Sequence, residues 1–261
     1  MDMESRKAEE QDFHDLARGA DASRPPNNWF YCLGRVNHEY HQQWLLERCR
    51  GKRVLDYCCG AGATAIWLAE SGAEAYGIDI SGVSIERGRG EAERRGISGK
   101  VRLIVGDAEN TGFEDGFFDC INVSGVLHHL DLDRAYAELA RILKPEGEII
   151  AVEALRHNIL IRAYRRMTPH LRTPWETDHI LGKSEIERAK EYFHRVRVER
   201  FFHLATLGAI PFIGRPGFSA LLRALEGADS VLLRVPGLRW QAWTVAFVMA
   251  QPKKPGSPPV K

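Results

Sequence analysis

Apolar positions change rhythm twice along the chain. From Lys52 onward short apolar runs alternate with helical stripes: 53–56, 75–80, 101–105, 117–123 and 148–152 read as strands, and 63–70, 81–95 and 132–143 as helices. Ser81 supplies an N-cap for the second of those helices. Upstream, an aromatic cluster at 29–31 precedes a helical stripe at 38–49 with Tyr40, Trp44 and Leu45 in phase. Beyond Glu153 the rhythm breaks. Residues 155–193 are mainly helical, 195–204 can form a strand, 205–237 are apolar but interrupted by Gly and Pro, and 242–250 read as a last strand. The pattern predicts an α/β fold with a seven-stranded, mostly parallel sheet covered by helices on both faces. Two insertions, 155–193 and 205–237, follow the fifth and sixth strands and are expected to form a helical, apolar cap.

Length and composition restrict the partners. A chain of 261 residues, 44% hydrophobic, can bury one large core, and one domain is expected over 27–251. Residues 1–26, ending in Arg24-Pro25-Pro26, read as a flexible arm, and 252–261, with four prolines, as a disordered tail. The 36 basic and 35 acidic residues leave a net charge of +1, so no global field attracts nucleic acid. Five cysteines, two of them adjacent, form no disulfide framework and point to a reduced setting. The opening residues are too charged for a signal peptide, and no apolar run approaches the roughly 20 residues that cross a bilayer. A cytoplasmic protein is expected, with peripheral contact at a membrane surface left open.

The chemistry concentrates in residues 54–81: strand, glycine turn, helix, strand, acid. Gly60 and Gly62 permit a tight turn and close approach of backbone to a ligand, and the following helix points its positive end there. Asp79 ends the next strand, where a carboxylate can accept hydrogen bonds from ribose hydroxyls. A nicotinamide dinucleotide would fit a bare glycine turn. Asp56, however, sets a carboxylate where pyrophosphate would need room, and an ammonium group suits that acid better.

These residues resemble class I S-adenosylmethionine (SAM)-dependent methyltransferases, most closely the single-domain enzymes of small molecules and quinones. Four motifs over 44–152 carry the resemblance in order: Asp56-Tyr57-Cys58-Cys59-Gly60-Ala61-Gly62; Asp79; Gly106-Asp107-Ala108; and Phe118-Asp119 leading to Val126-Leu127-His128-His129. Cys58 stands where the family has its first glycine. The resemblance implies a Rossmann-like fold, SAM as cofactor and S-adenosylhomocysteine (SAH) as product. It implies cofactor contacts from Asp56, Cys58, Gly60, Gly62, Asp79 with Ile80, Asp107 with Ala108, and Asn122 with Val123. Adjacent cysteines poorly suit one tetrahedral site, and no metal is expected.

Methyl transfer from a sulfonium is an in-line displacement, so the protein must align an acceptor and, where needed, take its proton. His128 and Glu153, at the ends of the fourth and fifth strands, are the candidate base and its orienting carboxylate. Tyr31, His129, His157, His179 and His203 are candidate acceptor contacts. The apolar second insertion suggests a small-molecule or lipid-like acceptor, and Arg162, Arg165 and Arg166 could meet an anionic head group. Rival readings keep SAM without methyl transfer, or keep the fold without catalysis.

Overall fold

The structure, a computed structural model, describes residues 3–19, 32–169 and 173–253. Seven strands form one sheet: β1 (Arg53–Tyr57), β2 (Glu74–Asp79), β3 (Val101–Val105), β4 (Phe118–Ser124), β5 (Leu143–Ala154), β6 (Phe193–Phe202) and β7 (Thr244–Pro252). Their order is β3-β2-β1-β4-β5-β7-β6. Strands β1 to β5 pair in parallel, while β7 lies antiparallel between β5 and β6. The sheet is therefore mostly parallel, as the pattern predicts. The order reverses between β1 and β4, where a crevice opens beyond the carboxyl ends of the strands.

Among the described residues nine α-helices surround it: α1 (Met3–Gly19), α2 (Arg35–Cys49), α3 (Ala63–Glu70), α4 (Gly82–Arg94), α5 (Leu132–Ile142), α6 (Ile159–Met167), α7 (Pro174–His179), α8 (Lys183–Arg188) and α9 (Phe218–Leu232). Alternation along the strands divides the core. Val54 joins Trp44, Leu45, Ile66, Leu68 and Ile85 on the face covered by α2, α3 and α4. Leu55 and Tyr57 join Tyr136, Leu139, Ile142 and Ile186 on the face covered by α5 and α8. Ser81 caps α4 by accepting the Ser84 N–H at 3.1 Å, and Asp131 caps α5 by accepting two amides. Each cap satisfies amide donors that the helix itself cannot.

Three expectations change. Residues 3–19, expected to be flexible, form α1, which docks across the mouth of the crevice. Among its described side chains the buried ones are charged: Arg6 and Glu10 are 3% and 6% exposed. The first insertion divides, because Leu181, Ile186, Ala189 and Phe193 belong to the main core. Strands β5 and β6 run parallel with β7 between them, so a crossover must return the chain over the sheet, and α8 lies in it. The remainder is a cap, in which Ile161 of α6 packs with Leu207, Ala209 and Leu222 from the second insertion. Third, β5 starts at Leu143, so that residues 143–147 extend a strand expected only over 148–152. The register slips there between Phe118 and Cys120 of β4. Tyr31, the rest of the expected arm at 20–26 and tail residues 254–261 lie outside the described residues.

Candidate active site

A cavity of about 780 Å³ occupies the crevice, within the range of about 300–1,000 Å³ usual for small-molecule sites. Asp56, Cys58, Gly60, Asp79, Ile80, Asp107, Ala108 and Asn122 line it, as do His129, Glu153 and His203. Sheet order separates these contributions. The ends of β1, β2 and β3 bring Asp56, Asp79 and Asp107 to one side; the ends of β5, β6 and β7 bring Glu153, His203, Trp243 and Thr244 to the other.

The turn after β1 has the conformation that the glycines foretell. Gly60 and Gly62 adopt φ of 54° and 68°. Cys58 shares the left-handed region at φ 55°, the conformation that a glycine at this position would favour. A side chain in that region costs about 1–2 kcal/mol, and burial also pushes the Cys58 thiol well above its ordinary pKa. The thiol is protonated and serves as a small wall residue. Asp79 fastens the turn: its carboxylate accepts the Gly60 N–H at 2.7 Å and the Ser81 N–H at 2.9 Å.

Asp56 and Asn122 are register partners on β1 and β4. Asn122 Nδ2 donates to Asp56 Oδ1 at 2.7 Å, and the Ala65 N–H donates to Oδ2 at 3.2 Å. Burial pushes the Asp56 carboxyl up to about 7, against these bonds, which favour its charged form. With its amide turned toward Asp56, Asn122 offers its oxygen to His41 Nε2, 2.6 Å away. His41 Nε2 must then carry the proton. Nδ1 keeps a lone pair in a side chain that lines the cavity, with burial holding the imidazole pKa below its ordinary value. His41 lies upstream of every recognisable motif, and only the packing of α2 against β4 reveals it.

The His128 and Glu153 contact forms, with His128 Nδ1 3.0 Å from Glu153 Oε2. The other Glu153 oxygen accepts the Val126 and Leu127 amides at 2.8 and 2.9 Å. Glu153 thus organises the whole turn after β4. That turn directs His129, Val126 and Leu130 into the cavity wall and leaves His128 behind it. His157 and His179 also lie off the wall. His157 meets Trp240, and His179 stacks on Trp175 at 3.6 Å between ring centroids. Val123 is fully buried in the sheet, and Gly62 is taken up as the N-cap of α3.

Helix α1 closes one side of the cavity through ion pairs. Arg6 pairs with Glu109 and donates to the His129 carbonyl at 3.0 Å. Lys7 reaches Asp107 Oδ2 at 2.6 Å, and Glu10 meets His129 Nδ1 at 3.0 Å. Among the described residues no three His, Cys, Asp or Glu side chains cluster as metal ligands, and no helix is long and apolar enough to cross a membrane.

Residues 55–151 match the family model of the methyltransferase domain. The chain is 39% identical over 110 residues to a probable chloroplastic tocopherol O-methyltransferase of Oryza sativa, covering 41% of this chain and 30% of that one. It is 37% identical over 108 residues to a ubiquinone/menaquinone biosynthesis C-methyltransferase of Idiomarina loihiensis, covering 40% and 43%. The matched segment spans about half or less of these relatives. Among solved structures, geranyl diphosphate C-methyltransferase of Streptomyces coelicolor, in complex with SAH, superposes with a TM-score of 0.61 over 89% of this chain and 87% of that one, at 14% identity. The fold is thus shared far beyond the segment of sequence likeness, and the segment that matches the methyltransferase domain is the one that carries Asp56, Asp79, Asp107 and Asn122.

Proposed function

We propose that the protein binds SAM in this cavity and transfers its methyl group to a small, largely apolar acceptor, leaving SAH. The observation that carries the reading is the convergence of Asp56, Asp79 and Asp107, from three adjacent strand ends, on one cavity that continues to Trp243 and Thr244. The residues fit the cofactor. Asp79 presents a carboxylate beside the glycine turn for the ribose hydroxyls, and Asp107 with the Ala108 backbone suits an adenine edge. Asp56, joined to Asn122 and His41, faces the region left for the cationic methionine end. Bound SAM would supply an electrophilic methyl on a sulfonium; the protein's task is to align the acceptor and exclude water.

Roles within the cavity follow its geometry. His129 and His41 are better placed than His128 to touch an acceptor, because both line the wall. Glu153 acts as a positioning residue for the turn that carries His129. An acceptor related to the quinone and tocopherol substrates named for the relatives suits the end where Val152, Ala154 and Trp243 line the wall. Such molecules reside in membranes, and α6 exposes Ile159, Leu160 and Met167 at 73%, 64% and 73% beside its arginines, a composition suited to brief contact with an anionic bilayer.

Calorimetry with SAM, SAH and NADH tests the cofactor. SAH binding without NADH binding supports the reading, and its absence defeats it. Methyl-labelled SAM incubated with a demethylmenaquinol, a tocopherol precursor and a sterol then tests the reaction, with transfer of label to the acceptor as the expected result.

A further inference from the structure

Two buried polar atoms at the acceptor end of the cavity have no hydrogen-bond partner among the described residues: His203 Nε2 and Thr244 Oγ1. Both residues are among those that line the cavity, and they are 3% and 9% exposed. Orphaned polar atoms this deeply buried are uncommon and costly, each by about 1–3 kcal/mol. They come from neighbouring strand ends, since Phe202 pairs with Thr244 and the Trp243 N–H donates to the His203 carbonyl at 2.9 Å.

The protonation of His203 follows from its neighbours. Asp229 accepts the Ala205 N–H at 2.6 Å and the Thr206 hydroxyl at 2.8 Å. Having donated its only hydrogen to that carboxylate, Thr206 Oγ1 can only accept from His203 Nδ1, 3.3 Å away. The imidazole proton therefore sits on Nδ1, and Nε2 carries an uncommitted lone pair. Burial holds this imidazole neutral near pH 7. His203 also has φ 66°, a strained backbone setting for a residue other than glycine, and the Asp229 hydrogen bonds hold that turn in place.

We propose that His203 Nε2 and Thr244 Oγ1 form a subsite that reads a hydroxyl group on the methyl acceptor. The hydroxyl donates its hydrogen to His203 Nε2 and accepts one from Thr244. A carbonyl could satisfy only Thr244, and an ether has no hydrogen for His203. The subsite therefore selects hydroxylated acceptors over their ketone or O-alkyl counterparts. The inference rests on the methyltransferase reading only in assigning this end of the cavity to the acceptor.

The test is binding of 2-naphthol against 2-methoxynaphthalene, by calorimetry on the full-length protein, both free and loaded with SAH. Wild type is expected to prefer the naphthol, and His203→Leu and Thr244→Val each to reduce that preference about three- to tenfold, the worth of one hydrogen bond. Thr244→Val is isosteric and removes an orphan, so its Tm should equal or exceed that of wild type while the preference falls. A purely structural threonine would give the reverse. Long-range ¹⁵N correlation spectra of His203 should show the proton on Nδ1. An unchanged preference in both variants, failure of both probes to bind at millimolar concentration, or a proton on Nε2 overturns the proposal. Absence of SAH binding defeats the methyltransferase reading instead, because the probes are also compared on the free protein.

Discussion

Two of the three glycines in helix α4, Gly88 and Gly90, differ in what surrounds them, and the contrast gives a quantitative test of how the glycine turn after β1 is supported. A Cβ at Gly88 would lie 2.5 Å from the Ala61 carbonyl oxygen and 2.7 Å from Leu103 Cδ1, whereas one at Gly90 would meet nothing closer than Arg94 Nη1 at 3.8 Å. In a helix interior alanine is favoured over glycine by about 1 kcal/mol, which Gly90→Ala should gain nearly in full. Gly88→Ala gains the same increment but must displace the backbone of the turn, at an overpacking cost of about 1–3 kcal/mol. The gap between the variants is therefore about 1–3 kcal/mol, or roughly 2–12 °C in Tm for a domain of this size. Thermal unfolding followed by circular dichroism measures it, with and without SAH. Because Ala61 belongs to the turn, Gly88→Ala should also weaken SAH binding, while Gly90→Ala should not. Equal stabilisation by both substitutions would refute the packing of α4 against the turn.

Other perturbations separate the site's components. Asp79→Asn removes a carboxylate that holds the Gly60 amide at 2.7 Å, and it should weaken SAH binding at least about tenfold by calorimetry; unchanged affinity would place the ribose elsewhere. Glu153→Ala leaves the Val126 and Leu127 amides and His128 without their acceptor, which should cost about 2–5 kcal/mol in a urea titration; a loss below about 1 kcal/mol would mean that Glu153 does not organise the turn. Asp56 and His203 should leave opposite marks on stability against pH. The folded Asp56 carboxyl, raised to about 7, holds its proton where the unfolded chain has lost it, so wild type loses stability as pH rises from about 4 to about 7, by about 4 kcal/mol at most. His203, lowered to about 4, refuses a proton that the unfolded chain takes up, so it costs stability as pH falls from about 6.5 to about 4, by about 3 kcal/mol at most. Relative to wild type, Asp56→Asn should therefore gain stability with rising pH and His203→Gln with falling pH. Parallel urea titrations across that range check both signs, and matching slopes would contradict them.

What could be read in advance follows the physics of each signal. Strands β1, β2 and β4 are bounded by turns and buried on both faces, so apolar runs and glycine spacing locate them within a few residues, whereas β5 begins five residues before its apolar run. The acids at 56, 79 and 107 were legible for the same reason: each ends such a strand, and a parallel sheet brings strand ends together. Helix α1 was not, because it docks through Arg6, Lys7 and Glu10. A search for an apolar stripe passes over a charged face whose partners lie about 100 residues away. The histidines show where pattern reading stops. His128 and Glu153 were expected to meet, and they do at 3.0 Å. Proximity does not, however, decide which side chain faces the cavity. With Glu153 accepting the amides of residues 126 and 127, the turn is fixed with His129 inward and His128 behind it. The uncommitted lone pairs belong instead to side chains whose tautomers are set by remote partners. Asn122, itself oriented by Asp56, fixes His41, and Thr206, oriented by Asp229, fixes His203. In each case a carboxylate acts on the imidazole through one neutral side chain. Burial keeps both imidazoles uncharged, so each presents an acceptor rather than a cation to the cavity. That arrangement suits the proposed cofactor, whose cationic sulfonium a charged imidazole would repel, and neither chain of contacts follows any sequence spacing.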